Sequence, residues 1–221
     1  MNHRRIGAGR AIASVVVLIV AGALLAGGLP STAAQAPAAA APAGPVMLEV
    51  SPGTRAAYRV TEQFVGISFP NDASGSTETV TGTLHINADG TIDSARSKLT
   101  MDLRTLKSDQ DMRDNFLRTR TLETDKFPMV EFVARRIQGV PSPVPANGQA
   151  GFQLMGDMTV RGVTAEVTWN GVVTFSAQQV AGRATTNFDF AKFGLTKPAI
   201  GRLMSVDDKI TLELEFRMKR T

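Results

Sequence analysis

The 221-residue sequence contains no cysteine, only two histidines, and one tryptophan and one tyrosine. Without thiols there is no disulfide framework, thiolate zinc site, iron–sulfur ligation or cysteine nucleophile, and no lipoprotein anchor on an N-terminal cysteine. His3 precedes any part of the chain that could fold. That leaves His85, so a multi-histidine metal site cannot be assembled, and a serine–histidine–aspartate relay would depend on that one residue. No cofactor is implied, and of metals only a loose, oxygen-ligated hard cation stays open.

Runs of positive charge are missing too. The net charge is +4, but Arg4, Arg5 and Arg10 precede residue 46 with no acid, leaving 21 basic against 20 acidic residues beyond it. A near-neutral body without a Lys/Arg cluster argues against a nucleic-acid partner, whose phosphates need many closely placed cations.

The N-terminus explains its own charge. A cationic start is followed by nineteen uncharged residues, Ala11 to Leu29, with their most apolar stretch from Val15 to Ala26. Small residues then lead to Ala34-Gln35-Ala36, the pattern a signal peptidase accepts. We expect residues 1–36 to be an export signal cleaved after Ala36, giving a periplasmic or secreted protein. The alternative is an uncleaved single-span inner-membrane anchor, because nineteen apolar residues can just cross a bilayer. Residues 30–45 hold eight alanines and four prolines without a charge, and repeated proline blocks helix propagation. Residues 37–45 therefore read as a linker, and 46–221 as the folded domain.

Period-two alternation dominates that domain. Ile210, Leu212, Leu214, Phe216 and Met218 alternate with polar residues as a strand with one buried and one wet face. Phe152, Leu154, Met158 and Val160 do the same. Arg161-Gly162 then turns the chain into Val163, Ala165, Val167 and Trp169, a hairpin whose second strand continues to Phe175 with a kink or bulge at Asn170-Gly171. Thr81 to Ile86 and Ile92 to Leu103 flank a tight turn at Asn87-Ala88-Asp89-Gly90. Only Ser108 to Leu122 breaks the rhythm. Ser108 and Asp111 have capping-box spacing, Met112, Phe116 and Leu117 share one side, and Asp114 and Arg118 are placed to pair on the other. About eight antiparallel strands with one helix laid across them imply a barrel or sandwich, because closure removes unpaired edges.

Five segments in order resemble the YceI-like proteins, which are exported lipocalin-like barrels associated with polyisoprenoid or other long apolar lipids. They are Arg113-Asp114-x-x-Leu117; Phe127-Pro128 followed by Phe132; Gly156-Asp157-Met158-Thr159-Val160-Arg161-Gly162-Val163-Thr164; Phe193-Gly194; and Asp207-Asp208-Lys209-Ile210. The resemblance implies an all-β, antiparallel eight-stranded lipocalin-like barrel with one helix packed across it. It also differs from the family pattern. Phe116 stands where the family's helix has histidine, Phe190 where an arginine precedes its Phe-Gly, and the first strand lacks a histidine–serine pair. Each change removes a polar group, so the resemblance implies a drier pocket.

The function that follows is a non-catalytic carrier for a long-chain apolar lipid or polyisoprenoid. From the helix and rim the expected ligand contacts are Arg113, Phe116, Leu117, Phe132 and Phe190. From inward strand positions they are Leu154, Met158, Val167, Trp169 and Phe216. The alternative reading of the strand residues is plain packing, since an eight-stranded barrel is just wide enough to be filled by its own side chains. Arg113 and Asp114 could equally tie the helix to the rim through ion pairs. A filled barrel would favour a structural or stress-related surface module. A lipid-directed hydrolase or lyase using Asp114 or His85 as base ranks below both, because no nucleophile motif or carboxylate pair accompanies them. Transient membrane contact and a homodimer remain open as partners.

Overall fold

The computed structural model describes residues 44–66, 68–198 and 203–221. The expected signal segment and nearly all of the linker lie outside the described residues.

The strands are β1 (Val46–Val50), β2 (Arg55–Phe64), β3 (Asn71–Thr77), β4 (Val80–Ile86), β5 (Lys98–Asp102) and β6 (Lys107–Ser108), followed by helix α1 (Asp111–Phe116). After α1 come β7 (Met129–Gln138), β8 (Gly148–Val160), β9 (Val163–Phe175), β10 (Gln179–Asp189), β11 (Leu203–Val206) and β12 (Lys209–Arg220). All pairings are antiparallel, in the order β1-β4-β5-β7-β8-β9-β10-β12, and β12 returns to β1 through Leu48–Arg220 and Val50–Met218. This closes an eight-stranded barrel.

At one end the barrel is prolonged. β2 continues β1 along β12, β3 pairs β2, and β6 and β11 extend the flanks. The interruption between β1 and β2 is stitched by buried Thr54, whose hydroxyl donates to the Ser51 carbonyl and accepts from the Arg217 N–H, both at 3.0 Å.

The hairpin of β8 and β9 turns at Arg161-Gly162, both with positive φ, the geometry that matches the twist of paired strands. β9 runs to Phe175 as expected, but no bulge interrupts it: Asn170 and Gly171 pair Gln153 and Phe152 in unbroken register. Glycine is needed there for closeness. A Cβ on Gly171 would stand 2.3 Å from the Arg183 carbonyl and 2.8 Å from the Phe152 ring, which lies across it. Gly182 carries the Phe216 ring in the same way.

Two local expectations are corrected. Residues 92–97 are not strand. Asp93 accepts from the Ala95 N–H and, at 2.7 Å, from Arg96 Nε, winding a turn that leaves only an isolated bridge between Ile86 and Ile92. The helix is also shorter than residues 108–122: α1 is six residues long, followed by a π-helical turn from Leu117 to Thr121. Its N-cap is Gln110, which makes no side-chain cap bond. Ser108 belongs to β6 instead, and both its N–H and its hydroxyl donate to Asp114 Oδ1, at 2.9 and 2.6 Å.

Candidate functional site: a hollow barrel with one mouth

Inward positions of the strands carry two kinds of residue. β8 and β12 contribute Phe152, Leu154, Met158, Leu212 and Phe216, whereas β2, β3 and β10 contribute Ala56, Ala73, Gly75, Gly182 and Ala184. Large side chains thus lie beside small ones on neighbouring strands, Phe216 over Gly182 and Leu214 between Ala56 and Ala184, and the summed volume does not fill the interior. A cavity of about 830 Å³ remains, within the range of small-molecule binding sites. Phe152, Trp169, Leu212 and Phe216 point inward yet stay half-buried, because their free surface is the cavity wall. The barrel is therefore hollow. Along β12 the lining runs from Ile210 to Met218, about 27 Å of strand and about 20 Å along a barrel axis once strand tilt is allowed for.

The far end is shut. Val46, Leu48, Ile86, Val144, Phe175, Val180 and Met218 pack there, and Arg220 holds the 144–145 segment by donating to the carbonyls of Pro145 (2.7 Å) and Val144 (3.1 Å). The exposed members of the lining, Asn71, Asp109, Gln110 and Met112, all lie at the opposite, helix end. That is where the cavity opens.

Ion pairs pin the helix beside this mouth. Arg113 donates to Glu62 Oε1 of β2 at 2.7 Å and to Asp109 at 2.5 Å, and holds the Asp109 carboxyl below its usual range. Beyond the π-turn, Glu123 is held by Lys126 at 2.8 Å and by Arg161 Nε of the β8–β9 turn at 2.7 Å, which keeps its carboxyl low as well. Asp114 does not pair with Arg118 on an outer face. It is 3% exposed and faces the barrel wall. The helix is thus rotated from its expected setting, with its acidic side on the rim and Met112, Phe116 and Leu117 toward the mouth.

Tyr58 lies across Gly75 on the same wall. Burial pushes its hydroxyl up to about 12, with Asp114 and Glu62 adding to the rise and Arg113 opposing it. The Tyr58 hydroxyl, Asp114 Oδ2 and Thr121 Oγ1 are buried without a protein partner. The polar groups of the site therefore gather at the mouth.

Of the ten contacts expected from sequence, nine line this cavity: Arg113, Phe116, Leu117, Phe132, Leu154, Met158, Trp169, Phe190 and Phe216. Val167 does not. It points inward and is buried, but its cross-strand partner Gly156 is covered by the Phe132 ring, so Val167 packs within the wall. The Arg113 guanidinium is already engaged by two carboxylates and acts as a tie between helix and barrel. Sequence reasoning missed Tyr58 and Glu62. A signal was present: along β2 the inward stripe Ala56, Tyr58, Val60, Glu62, Phe64 contains one buried carboxylate, which needs a cation opposite it.

The family model for the YceI-like domain matches residues 53–218. The chain belongs to the YceI-like family. Solved structures share the fold at low identity. A polyisoprenoid-binding domain from Saccharophagus degradans, described as implicated in plant cell wall breakdown, is 10% identical, covering 79% of this chain and 98% of its own with a TM-score of 0.62. Burkholderia cenocepacia BcnA is 14% identical over 74% of this chain and 95% of its own, TM-score 0.52. The Campylobacter jejuni YceI protein is 14% identical over 72% and 90%, TM-score 0.54. No curated protein matches the sequence. As in these solved structures, the described residues form a closed antiparallel barrel, with a single short helix among them.

Proposed function

We propose that this YceI-like chain is an exported, non-catalytic carrier that shields one long apolar lipid, of polyisoprenoid type, from water. The observation that carries the reading is the hollow, apolar, single-mouthed cavity. Its length suits an extended hydrocarbon rather than a compact ligand. Burying a methylene is worth about 0.8 kcal/mol, so ten of them supply about 8 kcal/mol before ordering costs, enough for micromolar binding without a charged anchor. The Saccharophagus neighbour, named for polyisoprenoid binding, supports the ligand class.

The hydrolase alternative gains no support from the geometry. Ser108 meets Asp114, but His85 lies on β4 opposite Met47, near the shut end, and no relay forms among the described residues. Organic extraction of natively purified protein followed by mass spectrometry tests the carrier reading. A stoichiometric long-chain lipid is expected, and repeated lipid-free preparations that also refuse long-chain probes would refute it.

A further inference from the structure

We propose that the helix end of the barrel docks on a lipid bilayer, with Phe69, Met204, Met112 and Val65 as apolar wedges around the mouth. Seven large apolar side chains are exposed in the described protein, and these four share one location. Phe69 (78% exposed) and Val65 belong to the loop between β2 and β3. Met204 (65%) sits on β11 at the irregular register that pairs Leu203 with Phe64. Met112 (77%) is on α1, beside the Arg113 that grips Glu62 of β2. Phe64, Leu203 and Met112 also line the cavity, so the exposed apolar surface is continuous with the apolar interior.

Four separate wedges on three segments are a poor protein interface. Fully covered, they would bury roughly 500 Å², judged from the 150–250 Å² an aromatic side chain can bury, against about 800 Å² per partner in a stable complex. A bilayer needs no such continuous area, because each side chain gains by entering it independently. The charges agree. Of the acids at this end, Asp72, Asp109, Asp111 and Asp208 are held by Arg59, Arg113, Lys107 and Lys197, and Asp207 is held by the Lys209 N–H in the β11–β12 turn without an ion-pair partner among the described residues. Arg118 and Arg120, on the turn that follows α1, have no ion-pair partner among the described residues and remain free to meet anionic headgroups. Docked this way, the mouth faces the acyl chains, and an apolar ligand passes between membrane and cavity without crossing water.

The inference rests on the carrier reading for its purpose, but the binding it asserts is measured with delipidated protein and needs no ligand. Flotation with phosphatidylcholine vesicles containing phosphatidylglycerol should carry the protein upward. Phe69→Asp combined with Met204→Asp should lower the partition at least tenfold with melting temperature unchanged, both sites being exposed. Val172→Asp, at a comparably exposed apolar residue on the barrel's side, should leave the partition as it was. An unchanged partition in the double variant, an equal loss in Val172→Asp, or no flotation of the parent protein would overturn the proposal. So would self-association of the parent that the double variant abolishes, which would mark a protein interface instead. None of these outcomes bears on whether a lipid is extracted from the cavity.

Discussion

Filling the cavity from one inward alanine separates a hollow carrier from a barrel whose interior has no ligand. Ala56 on β2 faces the cavity and is half-buried, its free surface opening into the empty space. Ala56→Phe adds six carbons. At about 30 Å³ per small group they take about 180 Å³, roughly a fifth of the 830 Å³ available. A ligand that spans the cavity loses room for about as many methylenes. At about 0.8 kcal/mol each the full loss approaches 5 kcal/mol, and a chain that slides to keep part of its burial still loses about 2 kcal/mol, some thirtyfold in Kd. The protein itself should not be destabilised, because the ring enters free space and avoids the overpacking penalty of about 1–3 kcal/mol. Trp169, the single tryptophan, is on the cavity wall, so quenching of its fluorescence by a doxyl- or bromo-labelled fatty chain reports occupancy directly. Arg55→Phe, one place earlier and facing solvent, is the control and should bind like the parent. If Ala56→Phe folds normally and binds the quencher with parental affinity, the ligand does not occupy this cavity and the reasoning fails.

Phe116→His places a polar ring at the mouth and should weaken a purely hydrocarbon probe by about 1–3 kcal/mol while the barrel stays folded; parental affinity would mean Phe116 does not touch the ligand. Removing Arg113 leaves Glu62 buried and unpaired, so Arg113→Ala should cost about 3 kcal/mol in urea denaturation, and adding Glu62→Ala should recover part of it. A double variant no more stable than the single one would contradict that pairing. Tyr58 is the only tyrosine, so absorbance titration reads it alone and should show a midpoint near 12 in the folded protein. Because its pKa is raised from an unfolded value of 10, the associated stability is present in full below pH 10 and is lost as the pH climbs through 12. An ordinary midpoint near 10 would mean the hydroxyl is not buried. For the leader, intact mass of protein recovered from the periplasm should correspond to a chain beginning near Pro37, and a full-length species in the membrane pellet would favour the anchor instead.

What the sequence determined by itself was everything carried by short-range pattern. Alternation along 210–218 and 152–169 gave strands with one apolar face, because successive side chains must point to opposite sides of a strand. Arg161-Gly162 announced its hairpin through the backbone geometry that turn demands, and the missing thiols removed whole classes of chemistry. The inward stripes also named four of the lining residues, Leu154, Met158, Trp169 and Phe216. Alternation cannot say whether an inward residue meets a neighbour or empty space. That is decided by volumes contributed from eight strands at once: Phe152 and Phe216, whose rings meet edge to face at 5.9 Å, keep surface open to the cavity because Gly171 and Gly182 let the rings lie against the wall, and because Ala56, Ala73 and Ala184 do not fill the space. Closure itself was expected from the cost of unpaired edges and from the family resemblance, but which strands meet to make it was not, since Leu48 pairs Arg220 from the other end of the domain. The helix shows the limit most plainly. Local spacing put Asp114 in solvent beside Arg118, whereas the fold brings Ser108 of β6 beneath it, and two donors from one residue hold a buried carboxylate that helical periodicity alone would leave outside.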